Sequence, residues 1–213
     1  MVGLEQLVSK IGALVKTCGR MILQADRTSM GISDKAGDAN FAAVKYVYEH
    51  GIFEGTGDTS FDPEAVMSRG MLVTVLWRMS GSPEAEPAAF EDVAPDAWYG
   101  PAVAWAAGQG LVNGYSETCF APGDDLTQEQ ILTILHRWAQ LPETSLTPDD
   151  VKGASQAHDY ALAALCWAAE TGVAAPGEAG LTPRQPMSRA EVAGVLMRWC
   201  ELPKESETPE ETE

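Results

Sequence analysis

The side chains that usually carry catalysis are present in this chain but do not fall into catalytic arrangements. The three histidines, His50, His136 and His158, are scattered, and the His158-Asp159 pair has no nucleophile motif near it. Helix-end and surface positions are the roles expected for them. Cys18, Cys119, Cys166 and Cys200 include no C-x-x-C pair and no histidine at zinc-ligand spacing, so no metal site is expected. The four could pair in three ways. Because Cys18, Cys166 and Cys200 fall within apolar helical patterns, free core thiols are the expected state. The loops Gly55-Thr56-Gly57-Asp58 and Gly123-Asp124-Asp125 lack the alternating oxygen ligands and closing glutamate of a calcium hand and read as turns. With no nucleophile–base pair, paired carboxylates or phosphate loop, the chain is expected to be no enzyme and to need no cofactor.

The elements that would hold any site have to be short. Glycine (20) and proline (13) are frequent among the 213 residues, while 45% hydrophobic and 21% charged residues match a soluble globular average. The net charge of −17, from 31 acidic and 14 basic side chains, repels a nucleic-acid backbone. No stretch is long and apolar enough to suggest a membrane span. Residues 203–213, PKESETPEETE, are predicted to be an acidic, disordered tail. The first residues lack the basic start, apolar run and small-residue cleavage site of a secretory signal.

A repeat of about sixty residues organises the rest. The copy at 90–141 is the clearest. The copy at 151–202 follows the same plan, with Trp167 for Trp105, Gly172 for Gly110, Pro183 for Pro122 and Arg198-Trp199 for Arg137-Trp138. A first copy at 42–81 matches from Gly51 onward through Phe61, Pro63, Ser68-Arg69 and Arg78, and reads as entering the repeat midway. Each copy is predicted to run helix, turn, glycine-rich loop, helix. In the middle copy Pro101 suits a first helical turn and Gly110 a stop. Thr127 with Gln130 forms a capping-box signature before the apolar face of Ile131, Leu132, Leu135 and Trp138. Ser68 and Ser188 cap the equivalent helices, and Glu191 completes a box with Ser188. A helix pair cannot cover its own apolar stripe, so the copies are expected to pool theirs into one bundle. Trp77, Trp105, Trp138, Trp167 and Trp199 belong mainly to that core.

The motifs F-x-D-V at 90–93, Trp98-Tyr99, A-V-x-W-A at 102–106, G-L-V-x-G at 110–114, F-x-P at 120–122 and S-R-A-E at 188–191 together resemble the S-layer homology domain. The resemblance covers 42–202. It implies a mainly α, pseudo-threefold helical bundle at the bacterial cell surface. Grooves between modules would bind secondary cell-wall polysaccharide, often pyruvylated, and so hold a parent protein's other domains to the wall. The family's polymer-contacting arginine maps to Arg69 and Arg189, and the second copy has Gln128 in its place. Ser188, Trp98, Tyr99 and Gly114 fall in the same motifs and join them as expected ligand-binding residues. A pyruvate ketal carries a carboxylate, and a guanidinium offers it a planar fork of donors. Screening over about 8 Å leaves such local geometry in charge despite the chain's overall acidity. An arginine one residue past a helix cap can equally be solvated or paired with a nearby carboxylate. Arg78, Arg137 and Arg198 sit near helix C-termini, where a cation favours the dipole.

Residues 1–41 are a separate case. Leu4, Leu7, Val8, Ile11, Leu14, Val15, Cys18, Met21, Ile22 and Ala25 share one face of an amphipathic helix predicted over 4–25, expected to cover surface left bare by the first copy. The wording GRMILQAD at 19–26, with Lys35 to Phe41 after it, resembles the start of the inositol monophosphatase family. That family's metal-binding carboxylate motifs are missing, so no phosphatase activity is expected. A fusion or rearranged frame would account for the junction. Against wall anchoring stand two other readings, a helical protein-interaction module, which predicts an exposed apolar patch, and a non-functional fusion fragment.

Overall fold

The computed structural model describes residues 40–56, 60–175 and 180–202. Six α-helices lie within them: α1 (Phe41–Glu49), α2 (Arg69–Met79), α3 (Gly100–Gly108), α4 (Gln128–Trp138), α5 (Leu162–Glu170) and α6 (Arg189–Glu201). Short 3-10 turns at Pro148–Asp150, Ala154–Gln156 and Asp159–Ala161 lead into α5. The fold is mainly helical, and the described residues pair as strands only at isolated bridges. The predicted helix at 4–25, Cys18 and the tail at 203–213 lie outside the described residues.

Local signals start the helices where expected. Pro101 stands in the first turn of α3. The Ser68 hydroxyl accepts from the Met71 N–H at the start of α2, and Ser188 and Glu191 form the box that starts α6. Thr127 donates its N–H to Gln130 Oε1 ahead of α4. Helices of nine to thirteen residues are marginal alone, so packing must supply their stability. It does so cyclically. The second helix of each copy packs on the first helix of the next: α2 on α3, α4 on α5, and α6 back on α1.

The backbone closes the same circle. The Met67 N–H donates to Met187 O (2.9 Å), Met187 N–H to Leu126 O (3.0 Å) and Leu126 N–H to Met67 O (2.9 Å), a triangle of bonds around a pseudo-threefold axis. The first N–H groups of a helix have no partner inside it. Here the neighbouring copy supplies one. Arg69 and Gly70 donate to Asp124 O and Pro122 O, Gln128 and Glu129 to Gln185 O and Pro183 O, and Arg189 and Ala190 to Ala65 O and Pro63 O, all at 2.8–3.0 Å. Met67, Leu126, Phe61 and Phe120 are fully buried beside these junctions. The three copies therefore share one core rather than folding as beads.

Two sequence expectations need correction. The first copy does not enter midway: α1 takes in it the place that α3 and α5 take in the others, with Ala43, Val44 and Val47 buried against α6. His136 stands in the last turn of α4 but is buried, its Nε2 at 2.9 Å from Pro142 O and its ring against Trp167. His50 is at a helix end, with Nδ1 at 2.7 Å from Tyr46 O. Trp105, Trp138 and Trp167 are buried, and Trp77 and Trp199 pack against the core. Cys166 is a buried free thiol, whereas Cys119 is only half-buried, its sulfur facing Asp92.

Candidate functional site

Each junction between copies puts one side chain, the residue after the helix cap, into the next copy's glycine-rich loop. Arg69 donates from Nε to Phe120 O and from Nη2 to Asn113 O, both at 2.9 Å. Its guanidinium lies over the Phe120 ring (4.4 Å) and the Tyr115 ring (4.7 Å). Arg189 repeats the arrangement with Phe61 O and Glu54 O, both at 2.9 Å, over Phe61 and Phe53. Each arginine is only 6% exposed. Burial pulls both guanidiniums below their usual range, opposed at Arg69 by Tyr115, Asp124 and Asp92 and at Arg189 by Asp62, and an arginine stays charged through such a shift. Neither arginine is solvated or ion-paired among the described residues. Each clamps two backbone carbonyls of the neighbouring copy.

At the third junction Gln128 accepts through Oε1 from the Thr182 N–H at 2.8 Å, a neutral contact in place of a cationic one. The next residue differs too. Glu129, where the other copies have Gly70 and Ala190, is buried and takes the His158 N–H at 2.9 Å, His158 Nδ1 at 2.6 Å and the Tyr160 hydroxyl at 3.2 Å. The Tyr160 ring is exposed, but its hydroxyl is tucked against this carboxylate. Partial burial, with Glu129 beside it, pushes its pKa up to about 12, so it remains a neutral donor.

The loop that receives Arg69 is itself braced. Asp92 accepts from the Phe120 N–H (2.8 Å) and the Ala121 N–H (2.6 Å); burial works against its charge, but these donors hold its carboxyl below the usual range. A Cβ at Gly114 would lie 2.4 Å from Ser116 O and 2.5 Å from the Phe90 ring, so any other residue forces this loop to shift.

A cavity of about 380 Å³ opens where Arg69 meets this loop. Gly114 and Arg69 line it, as the sequence led one to expect. Asn113, Tyr115, Gln130, Arg137 and Tyr160 line it as well, and the sequence reading assigned none of them to a site. Tyr115 and Tyr160 are exposed enough to wall it, at 57% and 55%. The other expected residues are elsewhere. Trp98 is exposed beside Tyr99, the two rings edge-to-face at 5.1 Å, and the Ser188 hydroxyl is committed to capping α6. The seven expected residues are thus spread over all three junctions rather than gathered at one. Among the described residues no cluster of histidine, cysteine or carboxylate groups could hold a metal ion, and no helix is long and apolar enough to cross a membrane.

This cyclic arrangement coincides with a family pattern. The model described as the S-layer homology domain matches residues 31–70, 89–132 and 154–193, together more than half the chain. The chain belongs to the S-layer homology family. Its first S-layer homology match begins at residue 31, so Lys35 to Phe41, whose wording resembles the phosphatase start, falls inside that unit. The chain is also 29% identical over 163 residues to the surface-layer 125 kDa protein of Lysinibacillus sphaericus. That alignment takes in 75% of this chain but spans only 14% of the relative.

Proposed function

We propose that the chain is a non-catalytic anchor that holds a surface protein to the bacterial wall by binding pyruvylated secondary polysaccharide in a groove between its copies. Membership of the S-layer homology family and the likeness to a surface-layer protein support wall anchoring in general. The observation that carries the finer reading is the cavity at the junction of the first two copies. Two guanidiniums, Arg69 and Arg137, line it; no carboxylate does, and neither arginine forms an ion pair among the described residues. In a chain of net charge −17 the cavity wall thus presents two cations and no carboxylate of its own, with Asp92 and Asp124 acting on Arg69 from outside the lining, an arrangement suited to a carboxylate-bearing ligand. Tyr115 and Tyr160 add aromatic faces on which sugar rings can pack.

The two guanidiniums in the cavity wall favour this reading over a protein-docking bundle, which needs a contiguous apolar patch. Among the described residues the exposed large hydrophobic ones are Val66, Trp98, Tyr115, Leu141 and Tyr160, and two of these five wall the cavity. The test is co-sedimentation of the purified chain with bacterial walls before and after removal of their secondary polymer. Retention that disappears on stripping is expected. Equal retention on stripped walls would point to peptidoglycan or protein docking instead.

A further inference from the structure

The three junctions share one backbone plan, so differences in their side chains can be read position by position. At the junction of the first and second copies, Arg69 and Arg137 face a cavity whose lining includes Asn113 and Gln130 and no acid. Arg137 is half-buried and donates from Nη1 to Leu111 O at 3.2 Å; among the described residues its other donors have no protein partner. Glu129, the nearest buried carboxylate to Tyr160, is already taken up by His158 and Tyr160.

The junction of the third and first copies has Glu54 where Asn113 stands. Glu54 pairs with Arg78, the counterpart of Arg137, at 2.9 Å, which cancels that cation. Asp62 also acts on Arg189 there. At the junction of the second and third copies the buried arginine is replaced by Gln128, and Glu191 stands where Gln130 does. Its remaining cation, Arg198, donates from Nε to Val173 O and has Glu201 nearby. The grooves thus differ in their cations: Arg137 has no ion pair among the described residues, its counterpart Arg78 is paired with Glu54, and the groove of Arg198 lacks the buried arginine altogether.

Resting on the anchoring reading, we infer that only the groove between the first and second copies takes the anionic saccharide, one per chain, and that Arg137 is its specificity-determining cation. Arg69 is fixed by two carbonyl bonds and two aromatic rings, so it sets the floor of the groove. Arg137, with donors to spare, is the group able to discriminate an acidic sugar from a neutral one. In the other two grooves the counterpart of Arg137 is ion-paired with Glu54, or donates to Val173 O beside Glu201 where the buried arginine is missing, so a carboxylate finds fewer free cationic donors. The chain then grips the wall at a single point, and tight retention of a surface protein must come from several chains acting together.

The experiment is a calorimetric titration of the purified chain with a methyl hexopyranoside carrying a 4,6-linked pyruvate ketal, beside amide spectra of the wild type with and without it. One molecule per chain is expected. The amides of Gly114 and Tyr115 should shift while that of Gly55 stays in place. Arg137→Gln should weaken binding at least tenfold, with Arg198→Gln within twofold of wild type. Two or three molecules per chain, or movement of Gly55 together with Gly114, would overturn the single-groove assignment. Unweakened binding by a folded Arg137→Gln would overturn the role of Arg137. Absence of any ketal binding by the wild type would instead remove the anchoring reading beneath it. The amide spectra need no variant, so they decide the question even if Arg137→Gln does not fold.

Discussion

Replacing Arg189 by alanine should unfold the third-to-first junction before it affects any ligand. The Arg189 side chain is 6% exposed, donates to Phe61 O and Glu54 O at 2.9 Å each, and lies over two phenylalanine rings. Each charge-assisted bond contributes about 1.5–3 kcal/mol, and a desolvated cation over a ring adds about 1–2 kcal/mol. Removing the guanidinium also removes its desolvation cost, which offsets several kcal/mol of that gross loss. A net destabilisation of about 2–4 kcal/mol remains. For a domain of this size each kcal/mol lowers the unfolding midpoint by about 2–4 °C, so Arg189→Ala should melt roughly 4–16 °C below wild type. Arg189→Gln should fall between the two, because Gln128 keeps a neutral bond to Thr182 at the corresponding place. Thermal unfolding followed by far-ultraviolet circular dichroism reads all three proteins. An Arg189→Ala midpoint within about 1 °C of wild type would refute the clamp, and with it the claim that these arginines serve structure first.

Three further expectations follow from the same geometry. Gly114→Ala puts a Cβ 2.4 Å from Ser116 O, so it should cost about 2 kcal/mol or more in a urea titration; a neutral result would show that the loop relaxes freely. Asp62, Asp92, Asp150 and Glu170 have carboxyls held below their usual range by hydrogen-bond donors, Asp92 against an opposing effect of burial. Their stabilisation is therefore fully present above the unfolded values of about 4 and is lost as pH falls through the lower folded values. Melting midpoints should drop steeply below about pH 4, and a flat profile there would contradict these bonds. Glu129→Ala should bring the Tyr160 phenol down from about 12 toward its ordinary value in an ultraviolet pH titration, whereas an unchanged titration would break the Glu129–Tyr160 assignment.

Much of the fold was legible because it is written locally. The capping residues Ser68, Thr127 and Ser188, the apolar spacing after them, and the repeat register determine the second helix of every copy. The first helix of the first copy was missed because Phe41–Glu49 lacks the tryptophan-centred wording of α3 and α5, although Ala43, Val44 and Val47 keep a helical spacing that could have revealed it. The site was less legible, because its contacts cross between copies. Nothing near Arg69 or Arg189 in the chain says that loop carbonyls more than forty residues away will enclose it, since those partners arrive only when the circle closes. Glu129 meets His158 and Tyr160 for the same reason. Arg137 read as a helix-end cation, yet a signal existed. Comparing Glu54, Asn113 and Ala174 across the three copies would have shown that the first of the three helix-end arginines faces an acid and the second does not.

The central claim is best tested by the equilibrium affinity of the purified chain for two preparations of one wall polysaccharide, identical except that one has lost its ketal pyruvate. The account predicts binding to the pyruvylated polymer that falls at least tenfold when the ketal is removed, and that weakens as salt rises. Equal affinity for the two preparations would contradict it, because the cations of the first groove would then have no part in holding the wall.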